Sequence, residues 1–186
     1  MAILHQATLT PTKTELIAAW LPGQPWFDGD APLVTPVGAY RFDDPAGEVG
    51  IESHIVDVGG RTVHVPLTYR GAELDGADSF LVGTMEHSVL GARWVYDAVG
   101  DPVYRAELVR VVAEADTQVE LVVQTPDGPV LRDPNMQVRG SGGTVPDDAE
   151  IVVVREPLRD QAPLSGLTLT GIWAGAPAPA VLAYIT

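Results

Sequence analysis

The chain has 186 residues, a formal net charge of -14, 46% hydrophobic residues and no cysteine. This length is enough to bury one core, and the balance of apolar to charged residues is that of a globular chain rather than a disordered one. An acidic surface makes nucleic acid and anionic membranes poor partners, and a chain without cysteine has no disulfide, no thiolate nucleophile and no cysteine-ligated metal.

The N-terminal stretch MAILHQATLTPTK lacks a charged region followed by an apolar core, so no signal peptide is expected. The tail from Ile172 to Ile185 is apolar, but it is interrupted by Pro177 and Pro179 and is too short to cross a bilayer. The expected location is cytoplasmic.

In chain order, the first ten residues alternate weakly and predict a short strand. Thr12 to Leu21 reads as a helix. Thr12 and Glu15 form a capping box, Leu16, Ile17, Trp20 and Leu21 share one face, and Pro22-Gly23 ends it. Residues 36–70 read as strands. Ile51–Val58 and Arg61–Leu67 flank Gly59-Gly60, a turn tolerant of positive φ, which predicts a hairpin. Pairing Val58 with Arg61 sets Val56 opposite Val63 and His54 opposite Val65, with His64 on the other face beside Ile55.

A strand is expected over Ser79–Gly83, then a helix from Glu86 to Val99 capped by Gly100. A second helix opens with Asp101 and Pro102 and carries the stripe Tyr104, Leu108, Val111, Val112 and Ala115. Beyond Thr117 the pattern is that of strands: Val119–Gln124 and Val130 about a Pro126-Asp127-Gly128 turn, then Met136–Arg139, Ile151–Arg155, Leu167–Trp173 and Val181–Ile185. The expectation is an α+β domain spanning residues 1–186, with antiparallel sheets packed on about three helices and a possible subdomain boundary near 117. The glycine-rich, acidic loop Gly140–Asp148 reads as a mobile hairpin loop. It lacks the Lys-Ser/Thr of a phosphate-binding loop.

The densest polar set is Glu86, His87, Arg93 and Asp97, with Trp94 and Tyr96 nearby. On a helix Glu86 and Arg93 lie near one side, Arg93 and Asp97 form an i,i+4 pair, and Trp94 and Tyr96 point different ways. Glu86, His87, Arg93, Trp94 and Asp97 are therefore the candidate ligand-binding residues, for a polyol or a phosphate. A helix start with an acid near its N-terminus and a surface ion pair is the plainer reading of the same residues.

His5, His54, His64 and His87 are expected at edges or on the surface, with local hydrogen bonds and no shared metal. Trp20 and Trp26 bracket the helix exit and are expected to pin the chain to the core rather than to stack on a sugar. Leu131-Arg132-Asp133-Pro134-Asn135 reads as a turn, because the asparagine comes too early for a kinase catalytic loop. Asp43, Asp44 and Glu48 read as a turn before a strand. No G-x-S-x-G motif is present. No catalytic, cofactor-binding or metal-binding residue is assigned.

The segment ELIAAWLPGQPWFDGD, a hairpin, then LGARWVYDAVGDPVYRAELVRVV resembles the N-terminal cap domain of actinobacterial maltokinases over about the first two thirds of the chain. Trp20, Leu21, Trp26, Phe27 and Gly29 match the family's opening motif, and Tyr96, Asp97, Gly100 and Pro102 match a later one loosely. The resemblance implies a cap-like fold and a link to kinases that phosphorylate maltose on the way to α-glucan. Their phosphate chemistry resides in a lobe downstream of the cap, and the parts that phosphoryl transfer requires are not recognisable here.

The expected function is a non-catalytic cap-like module that binds a partner protein, such as a kinase or an enzyme of α-glucan or maltose metabolism. The alternatives are a sugar or sugar-phosphate binding or regulatory protein, or an enzyme of unknown reaction using Glu86, His87 or Asp97 as acid or base.

Overall fold

A computed structural model describes every residue except 1, 5–7, 32, 126, 127, 161 and 164. His5, and Pro126 and Asp127 of the expected turn, lie outside the described residues. In chain order the elements are β1 (Ala2–Leu4), β2 (Leu9–Thr10), α1 (Lys13–Trp20), β3 (Thr35–Asp43), β4 (Gly50–Val58), β5 (Arg61–Arg70), β6 (Leu81–His87), β7 (Gly91–Asp97), α2 (Pro102–Ala113), β8 (Leu121–Thr125), β9 (Gly128–Arg132), β10 (Met136–Gly140), β11 (Ile151–Val153), β12 (Leu167–Trp173) and β13 (Ala180–Ile185).

The architecture is mostly antiparallel sheet with two α-helices among the described residues, plus short 3₁₀ turns. The α+β class therefore stands in this coarser form, and the expected third helix is replaced by strands. Residues 86–99, expected to be helical, instead supply the end of β6, a turn, and β7, which pairs antiparallel with β6 from His87–Gly91 to Leu81–Tyr96. Gly91 at φ +73 closes the turn, and the β-favouring run Trp94-Val95-Tyr96 extends away from it.

Three sheets form. One holds six strands in the order β2-β6-β7-β5-β4-β3, one holds four in the order β10-β12-β13-β11, and in the third β1 runs parallel to β8, which pairs with β9. The hairpin register is as read from the sequence, with Val58 opposite Arg61, His54 opposite Val65 and Ile55 opposite His64.

The six-stranded sheet buries both faces. On one, Val56, Val58, Val63, Val65, Leu67, Met85 and Val95 pack against Leu16, Ile17, Trp20 and Leu21 of the α1 segment. On the other, Tyr40, Phe42, Ile51 and Ile55 join Tyr104, Leu108, Val111 and Val112 of α2 and Met136, Leu169, Trp173 and Leu182 of the four-stranded sheet. The two-residue period of a strand explains this division, since successive side chains of β4 enter opposite cores. Close contact of the two sheets needs Gly38, where a Cβ would lie 3.2 Å from Met136 Cβ, beside an irregularity in the β3–β4 register.

The helix caps follow their residues. Thr12 and Glu15 make the capping box of α1, and Asp101 caps α2 through the Val103 N–H. The segment after β10 is neither a hairpin loop nor loose: Gly142 N and Gly143 N donate to the Val112 and Ala113 carbonyls, and Gly140 N donates to Asp116 O. These bonds satisfy acceptors that the C-terminus of α2 leaves open.

A Cβ at Gly140 would lie 2.0 Å from Val111 O and 2.7 Å from Val112 Cα, both backbone atoms that cannot yield. Gly140→Ala is therefore expected to cost at least about 3 kcal/mol. Gly23→Ala, with nothing within 4 Å of the added atom, should stay within about 0.5 kcal/mol of the parent. Urea denaturation of both variants checks this, and equal midpoints would contradict it.

Candidate functional site

The five residues singled out from the sequence lie on one hairpin, on its two faces. Strand alternation sets Glu86, opposite Ala92, on the face of Trp94 and Tyr96, while His87, Arg93 and Asp97 belong to the other. Trp94 and Tyr96 thus share a face, contrary to the helical expectation. Trp94 Nε1 donates to Glu73 Oε1 at 3.2 Å, and Tyr96 Oη accepts the Leu74 N–H at 2.9 Å.

Asp97 does not pair with Arg93. It is buried and accepts from Arg155 Nη2 at 2.6 Å. Burial raises its carboxyl above the ordinary carboxylate value, against the pull of Arg155. His87 Nδ1 accepts the Val89 and Leu90 N–H groups within the turn, Glu86 is exposed, and the Arg93 guanidinium donates to the Ala92 carbonyl. The expected Arg93–Asp97 pair fails because four residues of strand separate the two side chains by about 13 Å.

A different set converges. Strand β4 sends Glu52 and His54 to the same face as Val56, and β3 sets Arg41 opposite Glu52 and Ala39 opposite His54. Helix α1 places Lys13 over them, and the segments 117–121 and 131–135 complete the walls of a cavity of about 450 Å³. The walls are tied to the sheet by backbone bonds: Val119 N donates to Arg41 O at 3.0 Å, and Ala39 N donates to Asn135 Oδ1 at 3.2 Å. Of the Leu131–Asn135 segment, read as a turn, Leu131 and Arg132 instead end β9, paired with β8, and only residues 133–135 connect to β10; the segment forms one side of this pocket.

Inside it, Lys13 Nζ donates to Glu52 Oε2 and lies 5.4 Å from the centre of the Tyr69 ring. Lys13 occupies the first turn of α1, where the helix dipole disfavours a cation, and Glu52 compensates. His54 Nε2 and Tyr69 Oη share a hydrogen bond of 3.1 Å. Burial raises the Glu52 carboxyl, but Lys13 and Arg41 beside it, with His54 when that ring is charged, outweigh the burial and hold it at about 2. Burial drives His54 down to about 4, with Glu52 opposing and Lys13 and Arg41 assisting. At neutral pH the pocket thus presents a carboxylate at Glu52 and a neutral imidazole at His54, with Lys13 and Arg41 beside them.

The histidines correct a second expectation. His54 and His64 are not edge or surface residues: they are 8% and 0% exposed. His64 lies on the far side of the sheet, where Nε2 meets Tyr40 Oη at 3.1 Å and Nδ1 meets Val154 O at 3.2 Å. Burial lowers it to about 3. Among the described residues no three of His, Cys, Asp and Glu are grouped to hold a metal ion, and no helix is long and apolar enough to cross a membrane.

The pocket left little trace in the sequence. Its polar members are scattered from Lys13 to Asn135. The one available signal was that Glu52 and His54 occupy the same parity as Val56 and Val58 in a strand that otherwise buries that face.

The tryptophans act as packing residues. Trp20 and Trp26 meet edge to face with centroids 5.7 Å apart, Arg155 lies 4.6 Å over Trp26, and Arg61 lies 4.5 Å over Phe27. Gly29 sits at φ +112, where a side chain would be strained. Gly100 leaves no room for a Cβ beside Phe80, and Asp44 accepts three turn N–H groups before β4.

Both buried histidines are lowered from 6.5, so the unfolded chain takes up protons that the native chain refuses. Their stabilising effect is complete above pH 6.5 and is lost as pH falls toward 4. The cost is on the order of 3 kcal/mol for His54 alone. Urea midpoints should fall steadily from pH 7 to pH 5, and a flat profile would contradict the burial of these rings.

No curated protein matches the chain. Residues 20–101 match the family described as the maltokinase N-terminal cap domain, a span that holds Arg41, Glu52 and His54 and both packed tryptophans but not Lys13 or the 117–135 wall. Over that segment the chain is similar to the maltokinase N-terminal cap family, as the motif around Trp20 to Gly29 implied.

Proposed function

We propose that this cap-type module binds a small polar molecule in the pocket between α1, β3, β4 and the 117–135 segment, without transforming it. The supporting observation is convergence: Lys13, Arg41, Glu52 and His54 come from three elements to line one cavity of about 450 Å³. Sites for small ligands commonly combine this size with a few oriented polar groups. The cap likeness makes sugars and sugar phosphates the first class to test.

A catalytic role for Glu86, His87 or Asp97 draws less support, because they lie on two faces of a hairpin. His87 is engaged with its own turn and Asp97 with Arg155.

A second reading follows the module's likeness to a kinase cap. In it, the chain docks on a separate kinase or an enzyme of α-glucan metabolism. What favours it is the tip of the β6–β7 hairpin, where Val89 and Leu90 are 56% and 48% exposed side by side.

Calorimetry with maltose, trehalose, glucosamine and their phosphates tests the first reading. At least one should bind, and His54→Gln should weaken it by about tenfold, the loss of one good hydrogen bond. Binding of none, or binding indifferent to His54, would contradict the pocket. For the second reading, Leu90→Asp should abolish co-purification with a co-expressed maltokinase lobe while leaving the melting temperature unchanged, and retained co-purification would rule out the hairpin tip.

A further inference from the structure

The charges in the pocket are not all matched. Lys13 is paired with Glu52. Arg61, Arg70, Arg110, Arg155 and Arg159 each hold a carboxylate in an ion pair. Arg41 faces the same cavity from β3, yet no carboxylate among the described residues lies within ion-pair distance of it, and its Nε is buried without a hydrogen-bond partner. Among the described residues Arg93, Arg105, Arg132 and Arg139 also stand outside the ion pairs, but of these unpaired arginines Arg41 is the one with a buried nitrogen that lacks a hydrogen-bond partner. A half-buried guanidinium left open at the floor of a pocket is costly. An oxyanion removes that cost, because the planar fork donates two parallel hydrogen bonds to a phosphate or carboxylate.

We propose that the pocket takes a small organic oxyanion, a phosphomonoester or a carboxylate on a polar body, and that Arg41 is the residue that binds its anionic group. This rests on the pocket being a ligand site at all. Glu52 would repel the anion if it were free, but Lys13 neutralises it. Glu120 and Asp133 line the mouth and are exposed to solvent, where their repulsion is screened. Arg132, also exposed at the mouth, adds a solvated cation that the anion passes on entry. The polar body lies toward His54 and Asn135, whose carbonyl oxygen is already bound to Ala39 N and whose amide N–H groups remain to donate.

The test is an NMR titration of the arginine Nε–Hε signals with inorganic phosphate, glucose 6-phosphate, glucuronate and glucose. The Arg41 signal should move saturably with the two sugar anions and weakly with inorganic phosphate, and not with glucose. Glucose 6-phosphate against glucuronate decides which oxyanion is preferred. Arg41→Gln should weaken binding of the preferred anion by about tenfold or more, the usual scale for a charge-assisted bidentate contact. Arg132→Gln, at the solvated mouth, should change it less than about threefold.

Circular dichroism of Arg41→Gln establishes that the fold is intact. Should that variant unfold, the titration of the parent still decides. Glucose binding as well as its anionic derivatives would overturn the anion assignment and leave the ligand pocket standing. No response of any pocket signal to any of the four would overturn both.

Discussion

Strand β4 is the constraint on which the rest of the molecule depends. Its neighbours β3 and β5 fix its register along nine residues, and both of its faces are covered, one by α1 and one by α2 with the four-stranded sheet. A strand in that position has no broad solvent face, and most of its side chains are committed to one side or the other. Ile51, Ser53 and Ile55 go one way; Glu52, His54, Val56 and Val58 go the other. Slipping the register by one residue would exchange the two sets and place Glu52 and His54 among Tyr40, Tyr104 and Leu182, which no pairing could compensate.

This commitment explains why polar groups cluster beneath α1. Glu52 and His54 occupy positions where valine would pack equally well, and burying them costs free energy. The cost is reduced by Lys13 from the helix and Tyr69 from the neighbouring strand, and is left partly unmet at Arg41. On the opposite face His64 is fully buried and closed off by Tyr40 and the Val154 carbonyl. The two histidines of one hairpin therefore have different roles. His64 joins the sheets as part of the core, whereas His54 stands at the wall of an accessible cavity.

Much of this fold was legible in the sequence, and the failures have physical causes. The capping box at Thr12 and Glu15, the Gly59-Gly60 hairpin with its register, the Asp101-Pro102 helix start and the strand positions after Thr117 rest on local chemistry, and the structure carries them. Residues 86–99 misled because Arg93 and Asp97 stand at helical spacing, while the turn at Ser88–Gly91 carries only one glycine. Pairing with β5, contributed by residues far away in the chain, decides the strand. The polar set drawn from that imagined helix divided between two faces once the period became two. The pocket was hidden for the converse reason: Lys13, Arg41, Glu52, His54 and Asn135 share no segment, and only the sheet and the 117–135 wall bring them together. Trp20 and Trp26, by contrast, were read correctly as packing residues.

The site depends on His54 being held in a low-dielectric wall of the cavity and bonded to Tyr69, instead of lying free at a sheet edge. A direct measurement is the titration of its imidazole by ¹⁵N NMR. The structure predicts that His54 stays neutral through pH 5 and titrates near 4. Titration near 6.5, the value of a solvated ring, would show that β4 does not bury this face and would contradict the site and the fold argument together.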